Sequence, residues 1–292
     1  MEYPKYFEPK KSLSLYGLEK DFIFISSLYS LKKLPKVLML SSPRGSGKST
    51  LINHFLFSVF DEKNYDNKRF ILSDSSSFYN QFINNIFQNI VYLKGSDFKS
   101  IKVEDIRNLK SQIQQSTIIN KDRFIILDDV ELFNSNSLNA LLKIIEEPSS
   151  SNYFILINNQ TKPLLDTIKS RSIEVKIILN ENKRLEIINK LLTSNNIETL
   201  LSPDLSKLTP GRFLKFNYIC QEFDISQNND FLHNLSTLLN LYKKDKDFIF
   251  IDLAFYLTDL YFKELKDKDI IGNDKIYDIK AFMLNNLDKF LT

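Results

Sequence analysis

Apolar positions change their period several times along this chain, and each change predicts an element. Val37-Leu38-Met39-Leu40 is an unbroken apolar run, after which Leu51, Ile52, Phe55, Leu56 and Val59 recur every three or four residues. The first pattern predicts a strand covered on both faces, the second a helix with one apolar face. Two more solid runs follow, Phe124-Ile125-Ile126-Leu127 and Tyr153 to Ile157, and Ile173 to Leu179 alternates as a last strand. Helical spacing recurs at Phe22, Phe24, Ile25, Leu28 and Leu31, and at Val103, Ile106, Leu109 and Ile113. It recurs again at Leu138, Leu141, Leu142 and Ile145, where Ser135 or Ser137 is the expected cap and Pro148 the stop. Phe70-Ile71-Leu72 reads as a short strand, followed by a Ser-rich turn and an apolar segment up to Tyr92. Beyond residue 180 only helical patterns remain, including Phe231 to Leu241, a nearly all-apolar Phe248–Phe262 and Ile279 to Leu291. An α/β domain with a parallel sheet, followed by helical segments, is the expected architecture.

Chemistry-bearing residues fall where these elements meet. Between the first strand and its helix lies Ser42-Pro43-Arg44-Gly45-Ser46-Gly47-Lys48-Ser49-Thr50. Strand, small-residue loop, Lys-Ser and helix together make the context of a phosphate-binding P-loop. Its glycines let successive backbone N–H groups turn toward phosphate oxygens, and the helix adds its positive end. Residues 44–50, with Arg44, Gly45, Ser46, Gly47, Lys48, Ser49 and Thr50, are therefore the expected ATP contacts. Lys48 would face the β- and γ-phosphates and Ser49 would face Mg²⁺. Ser42 stands where such loops usually begin with glycine; serine tolerates fewer backbone conformations, which predicts a slightly tightened loop.

The run ending in Asp128-Asp129 has the form of a Walker B strand. Asp128 would hold Mg²⁺ through water, and the next residue would orient the attacking water. That residue is Asp129, one C–C bond shorter than the usual glutamate, enough to misplace a water.

Composition narrows the function classes. With 43% hydrophobic and 26% charged residues the chain has an ordinary globular balance, and its 292 residues predict more than one domain. A net charge of +3 is too mild to imply direct nucleic-acid binding on its own. One cysteine, Cys220, excludes an intrachain disulfide and a Cys-based zinc site, and His54 and His233 lie too far apart in sequence to suggest a metal pair. The chain opens without a signal-peptide pattern, and no apolar run reaches the ~18–20 residues of a membrane span. A cytoplasmic protein without a membrane partner is expected.

The stretch Leu138-Asn139-Ala140-Leu141-Leu142-Lys143 with Glu146-Glu147-Pro148, followed by a strand and then Ser170-Arg171-Ser172, resembles the AAA+ subunits of bacterial DNA polymerase III clamp loaders. The helix is similar to that family's NALLK-x-LEEP signature. The tripeptide is similar to its SRC motif, with Ser172 in place of cysteine. The set, from P-loop to SRx, covers roughly residues 15–180. Leu15-Tyr16-Gly17, Leu34-Pro35-Lys36 and the helix Val103–Gln114 resemble the delta-prime type within the family.

The resemblance implies an AAA+ P-loop NTPase domain at 1–179, a small helical lid at 180–222 and an all-α collar domain at 223–292. It implies ATP and Mg²⁺ as cofactors and no zinc. Asn159 falls on the sensor 1 position at the γ-phosphate, and Arg171 on the arginine finger that reaches a neighbouring subunit's ATP. Partners would be gamma/tau and delta subunits in a hetero-pentamer, the sliding clamp and, through the assembly, primer–template DNA. The second sensor arginine should lie near Thr209-Pro210-Gly211-Arg212, but Gly211 occupies its position. Weak or absent ATP hydrolysis by this chain is the expectation. A gamma/tau-type motor and a scaffold with a vestigial P-loop are the alternatives.

Overall fold

The computed structural model describes residues 3–97, 103–114, 121–204, 206–226 and 229–267, with four positions between 281 and 286. It divides into two compact units, Pro4–Glu198 with Pro203–Phe213, and Met1–Tyr3 with Thr199–Ser202 and Leu214–Thr292.

The first unit begins with α1 (Glu19–Ser30), β1 (Val37–Ser41) and α2 (Lys48–Phe60), then a small antiparallel pair, β2 (Tyr65–Asp66) and β3 (Ile71–Leu72). Next come α3 (Ser77–Ile83), β4 (Ile90–Lys94), α4 (Val103–Gln114) and β5 (Arg123–Asp128). The series continues with α5 (Ser135–Ile145), β6 (Asn152–Asn158), α6 (Asp166–Lys169), β7 (Ile173–Lys176) and α7 (Glu181–Ser194). Strands β4-β5-β6-β1-β7 hydrogen-bond in that order, all parallel. The α/β expectation with a parallel sheet is met.

Alternation along the strands explains why the central ones read as solid apolar runs. Phe124 and Ile126 of β5 join Leu38, Leu40, Phe55 and Ile155 in one core, together with Phe22 and Ile25 of α1. Ile125 and Leu127 join Met39, Phe154 and Leu156 in a second core with Leu109 of α4 and Leu141 of α5. Both faces of the sheet are thus covered, and every residue of β1, β5 and β6 is buried.

Two details differ from the expected pattern. The apolar segment before Tyr92 contains both α3 and the edge strand β4. The cap of α5 is Asn134, whose side chain accepts from the Ser137 N–H at 2.8 Å, so Ser135 and Ser137 lie inside the helix they were expected to cap.

His54 lies on α2 with no exposed surface. Its Nε2 is 3.0 Å from the Ser12 carbonyl, which can only accept, so Nε2 carries the proton and Nδ1 accepts from the Tyr65 hydroxyl at 3.1 Å. Burial pushes its pKa down to about 4. This histidine is a satisfied core residue.

The second unit takes α8 (Pro210–Glu222) from Leu214 onward and adds α9 (Phe231–Asp245) and α10 (Ile249–Asp267). Phe216, Ile219, Cys220, Leu238, Phe250, Ile251, Leu253 and Ala254 are among its fully buried side chains. The expected helix from Ile279 to Leu291 lies largely outside the described residues. No helix among the described residues is long and apolar enough to cross a membrane.

Candidate functional site

In a parallel sheet all strands end at one edge, and the first unit gathers its polar residues there. The loop leaving β1 reaches α2 through Gly45 and Gly47, whose φ angles of 85° and 90° lie in the left-handed region that favours glycine. Ser42 is not among the positive-φ residues, so the position takes a serine without backbone strain. Its hydroxyl has a use instead. Lys48 Nζ donates to the Ser42 carbonyl at 2.7 Å, to Ser42 Oγ at 3.0 Å and to the Pro43 carbonyl at 3.2 Å. Ser46 Oγ also donates to the Pro43 carbonyl at 2.7 Å. Burial pushes the Lys48 ammonium pKa down to about 8 against the favourable field of Asp128, Glu131 and Asp129. Lys48 therefore keeps its charge at neutral pH.

Ser49, the second residue of α2, donates to Asp128 Oδ2 at 2.9 Å, so the two residues expected at Mg²⁺ do meet. Thr50 lies beside it in the first turn. Asp129 follows in the left-handed conformation, φ 54°, a cost that aspartate bears better than most residues. Its Oδ1 accepts from Arg44 Nη2 at 2.6 Å and from Asn159 Nδ2 at 2.7 Å, while its buried Oδ2 has no hydrogen-bond partner among the described residues. Mg²⁺ keeps several waters and takes one or two carboxylates together with phosphate oxygens. Ser49 Oγ, Asp128 and the unpartnered Asp129 oxygen suit that donor set. Among the described residues there is no cluster of three or more metal-ligating His, Cys, Asp or Glu side chains, as a dedicated protein cage would need.

In segment 203–213, Thr209 and Gly211 bond to the loop. Thr209 Oγ1 donates to the Arg44 carbonyl at 2.6 Å and the Gly211 N–H to the Gly45 carbonyl at 2.9 Å. A Cβ at residue 211 would lie 3.0 Å from Gly45 Cα and 3.1 Å from its oxygen, which is the physical reason for glycine where an arginine was looked for. Arg184 of α7, buried, anchors this segment by donating to the Pro203 carbonyl at 2.9 Å and the Leu208 carbonyl at 3.1 Å.

Arg171 stands apart from this cluster. It precedes β7, whose first residue Ile173 is level with Leu38, the second residue of β1. It therefore sits at the opposite edge of the sheet from the loop that follows Ser41. At about 3.3 Å per residue the two edges are roughly 15–20 Å apart. Its Nε and Nη2 donate to Glu146 Oε1 at 2.9 and 2.8 Å, and Nη1 to the Thr167 carbonyl at 3.1 Å. These exposed bonds tether the guanidinium cheaply.

Two participants were not anticipated. Tyr92 of β4, level with Ile126, donates to Asp128 Oδ2 at 2.6 Å. Burial and the Asp128 charge hold its phenol proton well above the usual range, so it remains a donor. Tyr92→Phe removes this bond and should lower stability by about 2 kcal/mol, the range of hydrogen bonds to charged groups. Urea unfolding at pH 7 measures it; an unchanged midpoint would make the bond energetically idle. The other is Glu131, buried in the turn after Asp129. Nothing in apolar periodicity marks either residue, because both act across the ends of neighbouring strands.

A family model described as DNA polymerase III, delta subunit, matches residues 19–180, more than half of the chain. The chain belongs to this family. Among its relatives is DNA polymerase III subunit delta' of Bacillus subtilis (strain 168), 25% identical over 210 residues, or 69% of this chain and 60% of that protein. DNA polymerase III subunit gamma of Buchnera aphidicola subsp. Schizaphis graminum is 25% identical over 245 residues, 82% of this chain and 66% of that one. Subunit delta' of Pseudomonas aeruginosa is 38% identical over a shorter 76 residues, 26% of this chain and 23% of that one. The matched stretches thus span less than two thirds of these relatives' lengths. The expected kinship to delta-prime subunits is met, and the delta-subunit family also has gamma subunits as its neighbours here.

Proposed function

We propose that this DNA polymerase III family member is a delta-prime-type subunit of the clamp loader. It binds Mg-ATP through residues 44–50 and Asp128, hydrolyses it slowly or not at all, and offers Arg171 in trans to ATP on an adjacent gamma/tau motor subunit. The setting would be a hetero-pentamer, with delta as a further member, that opens the sliding clamp and leaves it on primer–template DNA. The three-part organisation, with a lid at 180–222 and a collar at 223–292, belongs to the same reading.

The observation that carries the proposal is the position of Arg171. An always-charged, planar guanidinium suits the charge of a transferring γ-phosphoryl group, yet this one lies at the edge of the sheet away from its own phosphate loop. A neighbour's phosphate is then its natural target. Weak hydrolysis follows from Asp129. Its short side chain has one oxygen shared between Arg44 and Asn159, so the group that should orient water is held by two donors.

Equilibrium binding of Mg-ATP to the purified chain, with turnover measured in parallel, tests the nucleotide half of the proposal. Binding is expected, with at least about tenfold weakening in Lys48→Ala, where a charge-assisted contact to phosphate is lost. Turnover is expected well below ~1 per second, an ordinary enzymatic rate. Turnover at that rate would point to a motor subunit, and no binding at all to the vestigial loop.

A further inference from the structure

The turn that carries Asn159 begins where the sheet ends. The ladders of β6 with its neighbours close at Ser41 opposite Asn158 and at Asp128 opposite Ile157. The N–H groups of residues 159–161 therefore lie beyond the last rung and need other acceptors. Side chains supply all three. Glu131 Oε2 accepts from the Asn159 N–H at 3.1 Å, and Asn158 Oδ1 from the Gln160 N–H at 2.9 Å. Glu131 Oε1 accepts from the Thr161 N–H at 3.4 Å and from Thr161 Oγ1 at 2.8 Å. Gln160 is left-handed, φ 57°, so the turn is sharp and its backbone is held off the ordinary minimum.

Glu131 itself is only 5% exposed. A buried carboxylate is costly unless its oxygens are engaged, and these are, by two N–H groups and a hydroxyl, within the field of Lys48. Such a residue is a built part of the edge. It joins the turn after β5 to the turn after β6, and Asn159 then reaches back from the second to the first, donating to Asp129 Oδ1 at 2.7 Å. The same β6 end also meets the phosphate loop, because the Ser42 N–H donates to the Asn158 carbonyl at 3.3 Å.

We propose that Glu131 is the positioning residue of this edge: it fixes the backbone of the 159–161 turn and so sets where the Asn159 amide lies relative to the γ-phosphate of bound ATP. The consequence for ATP rests on the reading of Asn159 given above; the positioning itself does not. Both Glu131 oxygens are taken up by the turn, so its effect passes through Asn159. Glu131→Gln keeps shape but replaces one acceptor oxygen with an NH₂ group, leaving a donor against a donor at Asn159 or Thr161.

Two measurements on the full chain test this. The first is amide hydrogen exchange over residues 158–161. Glu131→Gln should speed it by about tenfold, and Thr161→Val, which removes only the hydroxyl, should move it less in the same direction. The second is the ratio of Mg-ATP to Mg-ADP affinity. It should fall about tenfold in Glu131→Gln through weaker ATP binding, with ADP affinity kept, since only the γ-phosphate contact is displaced. Unchanged exchange in a folded Glu131→Gln chain overturns the proposal. Equal losses for ATP and ADP leave Glu131 with a merely structural role and overturn it too. If Glu131→Gln does not fold, the exchange in Thr161→Val decides the matter alone. If the parent chain binds neither nucleotide, it is the ATP reading that fails, and the exchange result still settles the positioning.

Discussion

Replacing Arg171 with alanine should slow hydrolysis at the one motor site it serves by about 10³-fold, the lower end of what a trans-acting arginine contributes. The assay is single-turnover hydrolysis in a clamp loader reconstituted with this chain and triggered with primer–template DNA. The fast phase should lose one site's share of its amplitude, which should reappear as a slow phase, while ATP binding by the isolated chain is unaffected. The chemistry demands the fork and not charge alone, so Arg171→Lys should recover little of the lost rate. The bonds that Arg171 makes to Glu146 do not oppose this role. Both side chains are over one third exposed, and such pairs exchange partners at little cost. Glu146→Ala should accordingly leave the fast phase within about twofold. A fast phase of full amplitude in Arg171→Ala would remove the trans role, and with it the main reason to prefer delta-prime over a motor subunit.

Acid should destabilise the first unit through His54 before it protonates most of the carboxylates. The sign follows from where the protons are. Below its unfolded pKa near 6.5, His54 is charged in the unfolded chain, while in the folded chain it stays neutral until the pH nears 4. The unfolded state thus binds more protons between these values, and stability falls as pH drops through that window. A depression from 6.5 to about 4 corresponds at most to about 3 kcal/mol, reached at the bottom of the window. His54→Gln, which keeps a donor for the Ser12 carbonyl, should be less stable than the parent at pH 7 and should lose less between pH 7 and 4.5. Urea unfolding of both chains at the two pH values separates this histidine from the carboxylates they share. Parallel losses in the two chains would assign the acid sensitivity elsewhere.

How much of this was legible in the sequence depended on whether a signal was local. β1, β5 and β6 are central, buried on both faces and apolar at each position that matters, so the runs announced them. β4 is an edge strand with all five residues only partly buried, and its mixed Ile-Val-Tyr-Leu-Lys composition carries no such mark. β7 forms as expected but stops at Lys176, with Val175 alone partly buried. Lys48, Ser49 and Asp128 could be read because loop and strand end each have a motif of their own. Tyr92 and Glu131 could not, since what matters is the level at which separate strands finish. Tyr92 reaches Asp128 only because β4 and β5 pair with Tyr92 opposite Ile126. Arg44 was expected at the phosphates from its place in the loop alone, whereas its bond to Asp129 required the fold to bring two loops together. The glycine at 211 could be noticed but not explained until its packing on Gly45 was seen.

Cys220 turns the second unit into its own reporter. The chain has one thiol; it is fully buried, and burial pushes its pKa up to about 12. Thiolate is the nucleophilic form, so alkylating reagents meet almost none of it until the helices around it part. The alkylation rate is then a clock for the opening of that unit alone, readable in a mixture of proteins and without any added label or engineered cysteine.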